Sequence, residues 1–367
     1  MDDPRIDALA RVLVDYSAGV EPEQLVGING GTAASPLLLA LYRLVLERGA
    51  HPLLISRPAE TDEIFYRLAN EAQLTYISPI SEALVEQTDA QINVLAQTNT
   101  KALSNVDPSK QAKRAGAAQR LQTRFMERTA QGELDWTLTL FPTPAYAQDA
   151  EMSLAEFETF VFGAGLLNRD DPIQAWKRLS ADQQRLIDWI REKSDVHLTG
   201  PGTDLRLSIR DRVWINADGR RNFPDGEIFT APLEDSVDGH IRFSFPAVYQ
   251  GREVEGVQLT FEAGEVVDAT ATKNEAFLHR MLEADEGARY VGEFAIGTNP
   301  GIQRFSKNIL FDEKIGGTVH LALGQGYPDT GSRNDSAIHW DMICDLREGG
   351  AIAVDGTMFA QDGRILV

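Results

Sequence analysis

The sequence predicts an α/β N-terminal domain with a mostly parallel sheet over residues 1–194, followed by a β-rich α+β domain over residues 195–367. Three observations carry that prediction. At 367 residues the chain exceeds what one hydrophobic core usually organises. In its first half, short apolar runs alternate with stretches of helical spacing, the pattern of β-α-β units. Beyond Asp195 the runs become β-branched or aromatic and are broken by Gly, Asp and Asn, with one good helix candidate.

The elements follow in chain order. Leu25 to Asn29 is an apolar run closed by Gly30-Gly31, a strand leaving into a loop. Ala34 to Arg48 has helical spacing and stops at Gly49, and Pro52 to Ser56 is a second strand, completing one β-α-β unit. Ile92 to Gln97 and Trp136 to Phe141 are further strands. Helices are expected over Pro108–Gln131, Leu154–Ala164 and Ala181–Lys193. In the second half, Val257–Phe261 and Glu265–Thr272 flank Glu262-Ala263-Gly264 as a hairpin, and the helix runs from Asn274 to Ala284. The final residues, AIAVDGTMFAQDGRILV, read as strands joined by Asp-Gly turns.

Composition narrows the function classes. The first twenty residues lack the basic start and apolar core of a signal peptide, and no apolar run approaches the roughly 18 residues that span a bilayer. The single cysteine, Cys344, excludes an internal disulfide and CxxC metal sites. A reducing, cytoplasmic setting without membrane contact is expected. A net charge of −20 argues against nucleic acid as a partner, since phosphate binding needs clustered Lys and Arg.

Four histidines, His51, His197, His240 and His279, fall in turns, loops or on a helix and read as structural or exposed. His320 and His339 differ. On a strand over Thr318–Gly324, His320 shares a face with the small Ala322 and Gly324. On a strand over Ser336–Cys344, His339 and Asp341 share one face while Ile338, Trp340, Met342 and Cys344 take the other. The same spacing on a helix would diverge by about 200°, so the strand assignment matters. Glu293 sits inside an otherwise apolar strand, where an ionised carboxylate needs a partner or a metal. Glu227 heads a strand after a Pro-Asp-Gly turn, and Glu313 lies seven residues before His320.

Singly, a strand histidine is more often a hydrogen-bonded core residue and a half-buried glutamate half of an ion pair. Together, two His, one Asp and two or three Glu on apolar β segments exceed what structure alone requires. Imidazole with carboxylate and no thiolate suits zinc, cobalt or manganese in a hydrolytic site. Six such groups suffice for two ions sharing a carboxylate, the arrangement of a dinuclear metallohydrolase.

Asn222-Phe-Pro-Asp-Gly-Glu227, Val291-Gly-Glu293-Phe-Ala-Ile-Gly-Thr-Asn299, His320-Leu-Ala-Leu-Gly-Gln-Gly-Tyr327 and Ser336-Ala-Ile-His339-Trp-Asp341 resemble the thermophilic metallo-aminopeptidase family of the aminopeptidase T, aminopeptidase S and PepS type. The motifs occur in the family's order over about the last 150 residues. The resemblance implies that Glu227, Glu293, Glu313, His320, His339 and Asp341 ligate two divalent ions, zinc or cobalt first, with magnesium or manganese as alternatives. It implies that Tyr327 points its hydroxyl into the site and that Glu293 or Glu313 is the general base. It further implies a homodimer that removes the first residue of short peptides. One departure stands out: only eleven residues, Pro328 to Ile338, separate Tyr327 from His339, which bears on substrate preference.

Rival readings keep the metal but change the substrate to another small amide or ester, or make the chain a non-catalytic member of the family. A nucleotide site at Gly27-Ile-Asn-Gly30-Gly31 matches neither glycine-rich phosphate motif and reads as a plain strand-to-helix turn.

Overall fold

The computed structural model describes residues 3–249 and 251–367. The chain divides into two compact units, each with its own sheet system. The first takes the chain to Ile173 together with Gly219–Pro224, and the second comprises Gln174–Asp218 and Asp225–Val367.

The first unit is α/β. Its five strands are ordered His51–Arg57, Leu25–Gly31, Ala90–Leu95, Asp135–Leu140 and Asn222–Phe223, and every pairing is parallel. Parallel strands need a crossover between them. Ser35–Glu47 supplies one, burying Leu37, Leu38, Leu41, Leu44 and Val45 on a face of helical period. Gly49, at φ +76°, ends that turn of chain as the sequence predicts. The helices Pro108–Ala130 and Leu154–Ala164 also lie where expected. Two boundaries differ. The first strand runs through Gly30 and Gly31, because both pair with the neighbouring strand. The helix expected from Ala181 begins at Pro172 and ends at Ile190, and from Gln174 on it belongs to the second unit; its extra turns bury Ala175 and Trp176. The short helices Glu60–Leu68, Glu71–Thr75 and Pro79–Gln87 were not foreseen; the first and third bury no residue, so they carry no apolar stripe to read.

The second unit is β-rich and antiparallel. An eight-stranded sheet runs in the order 265–270, 258–262, 238–242, 203–208, 195–200, 351–354, 357–361 and 364–365. A five-stranded sheet runs in the order His339–Asp345, Thr318–Gly324, Val291–Gly297, Glu227–Thr230 and Ile215–Ala217. One hydrophobic cluster joins the two sheets, with Leu198, Leu205, Ile241 and Phe261 from the first and Phe294, Val319, Leu321 and Trp340 from the second. The expected hairpin turns at Ala263 (φ +48°) and Gly264 (φ +87°), two consecutive left-handed residues that match the twist of the strands. The terminal strands turn the same way at Asp355-Gly356 and Asp362-Gly363. The fold class read from the sequence is the one observed. Among the described residues no helix is long and apolar enough to cross a membrane.

Candidate metal centre

The five-stranded sheet of the second unit has one apolar face and one face that carries acid and imidazole. Phe294, Ile296, Val319, Leu321, Leu323, Trp340, Met342 and Cys344 point into the core. The alternate residues Glu293, His320, His339 and Asp341 therefore share the other face, with Glu227 at the head of the next strand. Cross-strand register gathers them: Ala322 pairs with both Glu293 and Asp341, and Ala295 lies opposite His320. Small residues thus sit beside the large polar ones, as the Ala322 position predicted.

Two backbone devices aim the carboxylates. By strict alternation Val291 and Glu293 would share a face, yet Val291 lies in the core. The register slips between them, a β-bulge at Gly292 that turns Glu293 onto the polar face. A Cβ at Gly292 would sit 2.2 Å from the Gly324 carbonyl oxygen, so only glycine fits. The second device is the Pro-Asp-Gly turn before Glu227. Gly226 has φ +117°, and a Cβ there would lie 2.7 Å from Asn299 Cβ. Asn299 Nδ2 donates to the Asp225 carbonyl at 2.6 Å, and Thr298 N donates to that of Gly226 at 2.8 Å. The Asp225–Glu227 turn and the Val291–Asn299 motif are therefore two sides of one junction within the second unit.

All six predicted metal-binding side chains come together. Three groupings place their ligand atoms within 4.8 Å of one another: Glu227, Glu293 and His320; Glu293, His339 and Asp341; Glu313, His320 and Asp341. Glu293 faces an imidazole with each oxygen, Oε1 at 3.2 Å from His320 Nε2 and Oε2 at 3.5 Å from His339 Nε2. Asp341 Oδ1 lies 3.4 Å from His339 Nε2 and 3.9 Å from His320 Nε2.

Both imidazoles are oriented by the main chain. His320 Nδ1 is 3.1 Å from the Glu313 carbonyl oxygen, and His339 Nδ1 is 2.7 Å from that of Gln325. A carbonyl only accepts, so each Nδ1 carries a proton and each Nε2 is left facing the carboxylates. Burial works against an imidazolium, but the Glu293 hydrogen bond and the charges of Glu227, Glu293 and Asp341 outweigh it and push His320 up to about 10. His339 is likewise pushed up to about 10, against burial, by Asp341 and Glu293. Asp341 is held below its ordinary range: burial would raise it, but His339, His320 and Lys314 prevail. Burial drives Glu227 and Glu313 the other way, well up in the case of Glu227.

Among the described residues, the buried oxygens Glu227 Oε2 and Asp341 Oδ1 find no hydrogen-bond donor. Buried carboxylate oxygens without donors are costly, and a divalent cation is what such oxygens accept in place of a proton donor. The donor set, carboxylate and imidazole with the far ring nitrogen anchored, fits divalent metal.

Lys314 was missed by sequence reasoning. Its side chain is wholly buried, with Nζ in direct contact with Glu313 Oε1 and 3.7 Å from Glu227 Oε1. In Phe311-Asp312-Glu313-Lys314 it reads as an ordinary solvated turn; its adjacency to Glu313 was the one available signal. Asp312, also unforeseen, accepts from Ser306 N and Oγ at 2.7 Å each and braces the turn that presents Glu313 and Lys314. Tyr327 lies at the edge of the site, 46% exposed, its ring edge-on to His339 at 5.4 Å and tilted on Phe229 at 5.5 Å. Crowding by protein, then the charges of Glu293, Asp341, Glu313 and Glu227, push its phenol up. The other four histidines take no part: His51 lies near Glu23, His197 against Asp204, and His240 and His279 are exposed.

The segment from Pro328 to Ile338 is strapped down. Asn334 Nδ2 donates to the carbonyls of Gly287 (2.9 Å) and Gly324 (2.6 Å), and Ser336 Oγ and Ala337 N both donate to Asp285 at 2.7 Å. Arg333 N donates to Glu234 Oε1 at 2.7 Å.

Known proteins resemble this chain along most of its length. A family model described as thermophilic metalloprotease (M29) matches residues 2–364. Aminopeptidase 2 of Geobacillus stearothermophilus is 29% identical over 378 residues, covering 92% of this chain and 91% of its own. Aminopeptidase T of Thermus aquaticus is 31% identical, covering 72% and 71%. The solved structure of wild-type AmpT from Thermus thermophilus superposes with a TM-score of 0.86 at 25% identity, covering 99% of both chains. A dihydroxypyridine dioxygenase from Pseudomonas putida KT2440 has a TM-score of 0.58 at 12% identity, a likeness of fold alone.

Proposed function

Since the chain belongs to the thermophilic metalloprotease family (M29), we propose that it is a metal-dependent aminopeptidase that releases the first residue of short peptides at the cluster of Glu227, Glu293, Glu313, His320, His339 and Asp341. The observation that carries the reading is Glu293. Its two oxygens face two anchored imidazoles, each with a further carboxylate beside it, so one carboxylate serves two cation positions. One position would be held by Glu227, Glu293 and His320, the other by Glu293, His339 and Asp341. Zinc or cobalt suits the imidazole share of this set, and magnesium or manganese the carboxylate share.

Two bound divalent ions would supply an acidified water and polarise the carbonyl of the first peptide bond. The chain's own residues do the rest. Glu313, raised by burial and grouped with His320 and Asp341, receives the proton from the attacking water and hands it to the departing amine as the C–N bond breaks. Glu293 is engaged at both oxygens and serves instead as the shared ligand. The Tyr327 phenol, kept protonated by its surroundings, donates a hydrogen bond to the oxyanion that develops on the former carbonyl oxygen. Lys314 keeps Glu227 and Glu313 in place and offsets part of the acid charge. All these residues lie within the proposed catalytic domain, residues 195–367. A cytoplasmic homodimer completes the reading.

Hydrolysis of a leucyl chromogenic amide by chelator-stripped protein, before and after cobalt or zinc, tests it. Turnover that appears only with metal, with two ions per chain by elemental analysis, supports the proposal. Two ions without turnover of any aminoacyl amide would move the site to another small amide or ester. A protein that takes up no metal would remove the ligand assignment.

A further inference from the structure

A cavity of about 200 Å³ opens beside Asp341 within the second unit. The strand His339–Asp345 continues the row of site residues into it: His339, Asp341 and Ile343 alternate onto one face, and Ile343 forms a wall. Val248, Phe305 and Ile309 form the others. Phe305 is held in place by parallel stacking on Phe245, with centroids 4.8 Å apart and planes 4° from coplanar. Ile309 begins the short helix Ile309–Asp312 and leaves 44% of its surface exposed at the cavity.

The polar groups in the lining have other engagements. Asp312 is committed to Ser306, Asn308 Oδ1 accepts from Leu310 N at 3.2 Å, and the Lys307 ammonium lies 3.6 Å from Glu253 Oε1. What the cavity offers a ligand is therefore mostly hydrocarbon, with Asp341 among its lining residues. Its volume is below the ~300–1,000 Å³ of pockets that take a whole small molecule. It exceeds the ~150 Å³ apolar cavity that accommodates a benzene ring. It has the size of one side chain.

Resting on the aminopeptidase reading above, we propose that this cavity seats the side chain of the substrate's first residue. It favours uncharged apolar side chains, up to a phenyl ring, over glycine and over carboxylate-bearing residues, which the walls of Val248, Phe305, Ile309 and Ile343 would strip of water.

The test uses the metal-loaded full chain and a panel of aminoacyl amides. The parent should turn over leucyl and phenylalanyl amides with a kcat/KM at least about tenfold above that for the glycyl amide. Val248→Trp fills the cavity and should remove that advantage while leaving glycyl turnover within about threefold. Ile309→Lys, at an exposed position where the fold is not at stake, should lower leucyl turnover about tenfold and raise glutamyl turnover. Variants that keep the parent's leucyl-to-glycyl ratio, or that lower both amides by one factor, would overturn the proposal. Should the parent hydrolyse no aminoacyl amide, the peptidase reading fails by itself, and calorimetry decides the cavity separately. Leucinamide binding tighter than glycinamide, and weakened by Val248→Trp, retains it; equal binding overturns it.

Discussion

Replacing Lys314 by Met removes a wholly buried ammonium from between Glu227 and Glu313 while preserving most of its volume. At 3.7 Å and an effective dielectric near 20, the attraction to Glu227 alone is about 4 kcal/mol. Breaking a buried pair by deleting one partner costs about 3–5 kcal/mol, because the other charge stays buried. The carboxylates have one escape, which is to take up a proton, and burial already drives both Glu227 and Glu313 upward. That escape is easy in acid and costs about 1.4 kcal/mol for each pH unit above the group's own pKa. The metal-free Lys314→Met protein should therefore melt roughly 6–20 °C below the parent at pH 8, at about 2–4 °C per kcal/mol for a unit of this size. The deficit should shrink toward pH 5. It should also shrink on adding zinc or cobalt, which then carry the counter-charge. Calorimetric melts of metal-free and loaded protein at the two pH values give the answer. A metal-free variant within about 2 °C of the parent at pH 8, or a deficit independent of pH, would refute the reasoning.

Four further outcomes are expected. His339→Ala should lose metal-dependent turnover and one of two ions by elemental analysis, with an unchanged circular dichroism spectrum; an active variant would dismiss His339 as a ligand. Tyr327→Phe should retain its metal and its KM but lose about 10²–10³ in kcat, as removal of one oxyanion donor does elsewhere; an unchanged kcat would leave the ring as packing only. His320 and His339 are both pushed up to about 10, so each holds an extra proton in the metal-free protein at neutral pH. Their contribution to stability is complete below the ordinary imidazole value of about 6.5 and is lost as pH rises through about 10. Cation binding at neutral pH must expel those protons, about two per chain, measurable by calorimetry in buffers of different ionisation heat. Gly226→Ala should weaken metal binding and lower Tm together, since the added methyl collides with Asn299; a variant as stable as the parent would show the junction to be pliable.

Much of the site was legible because strand alternation is local. His339-x-Asp341 and the small residues beside His320 needed only a period of two, and each lies on the face expected. The hairpin at Ala263-Gly264 and the two Asp-Gly turns were legible for the same reason: backbone sign is written in residue type. Lys314 was not, because its burial comes from the approach of Glu227, 87 positions earlier in the chain, and nothing near Lys314 announces that contact. The slip at Gly292 was hidden too, since a glycine inside an apolar run looks alike whether the ladder is regular or not. The N-terminal extension of the Pro172–Ile190 helix escaped because the burial of Ala175 and Trp176 comes from tertiary packing that local spacing does not reveal. The strapping of residues 328–338 is a set of contacts to Asp285, Gly287 and Glu234, none of them near in sequence.

The Gly292 bulge has a bearing on how the chain tolerates change. It is a phase shift in a two-residue repeat, so it couples the chemistry of the site to strand register as well as to residue identity. Pairing Gly292 in a regular ladder would keep every acidic and histidine residue but put Val291 and Glu293 on the same face. Either Glu293 would turn into the core beside Val319 and Leu321, with Phe294 and Ile296 turned out, or Val291 would leave the core. A relative in which this position pairs as an ordinary strand residue could keep each ligand letter in alignment and still have no metal site, whereas one that exchanged a ligand for another donor would keep the frame in which to hold an ion.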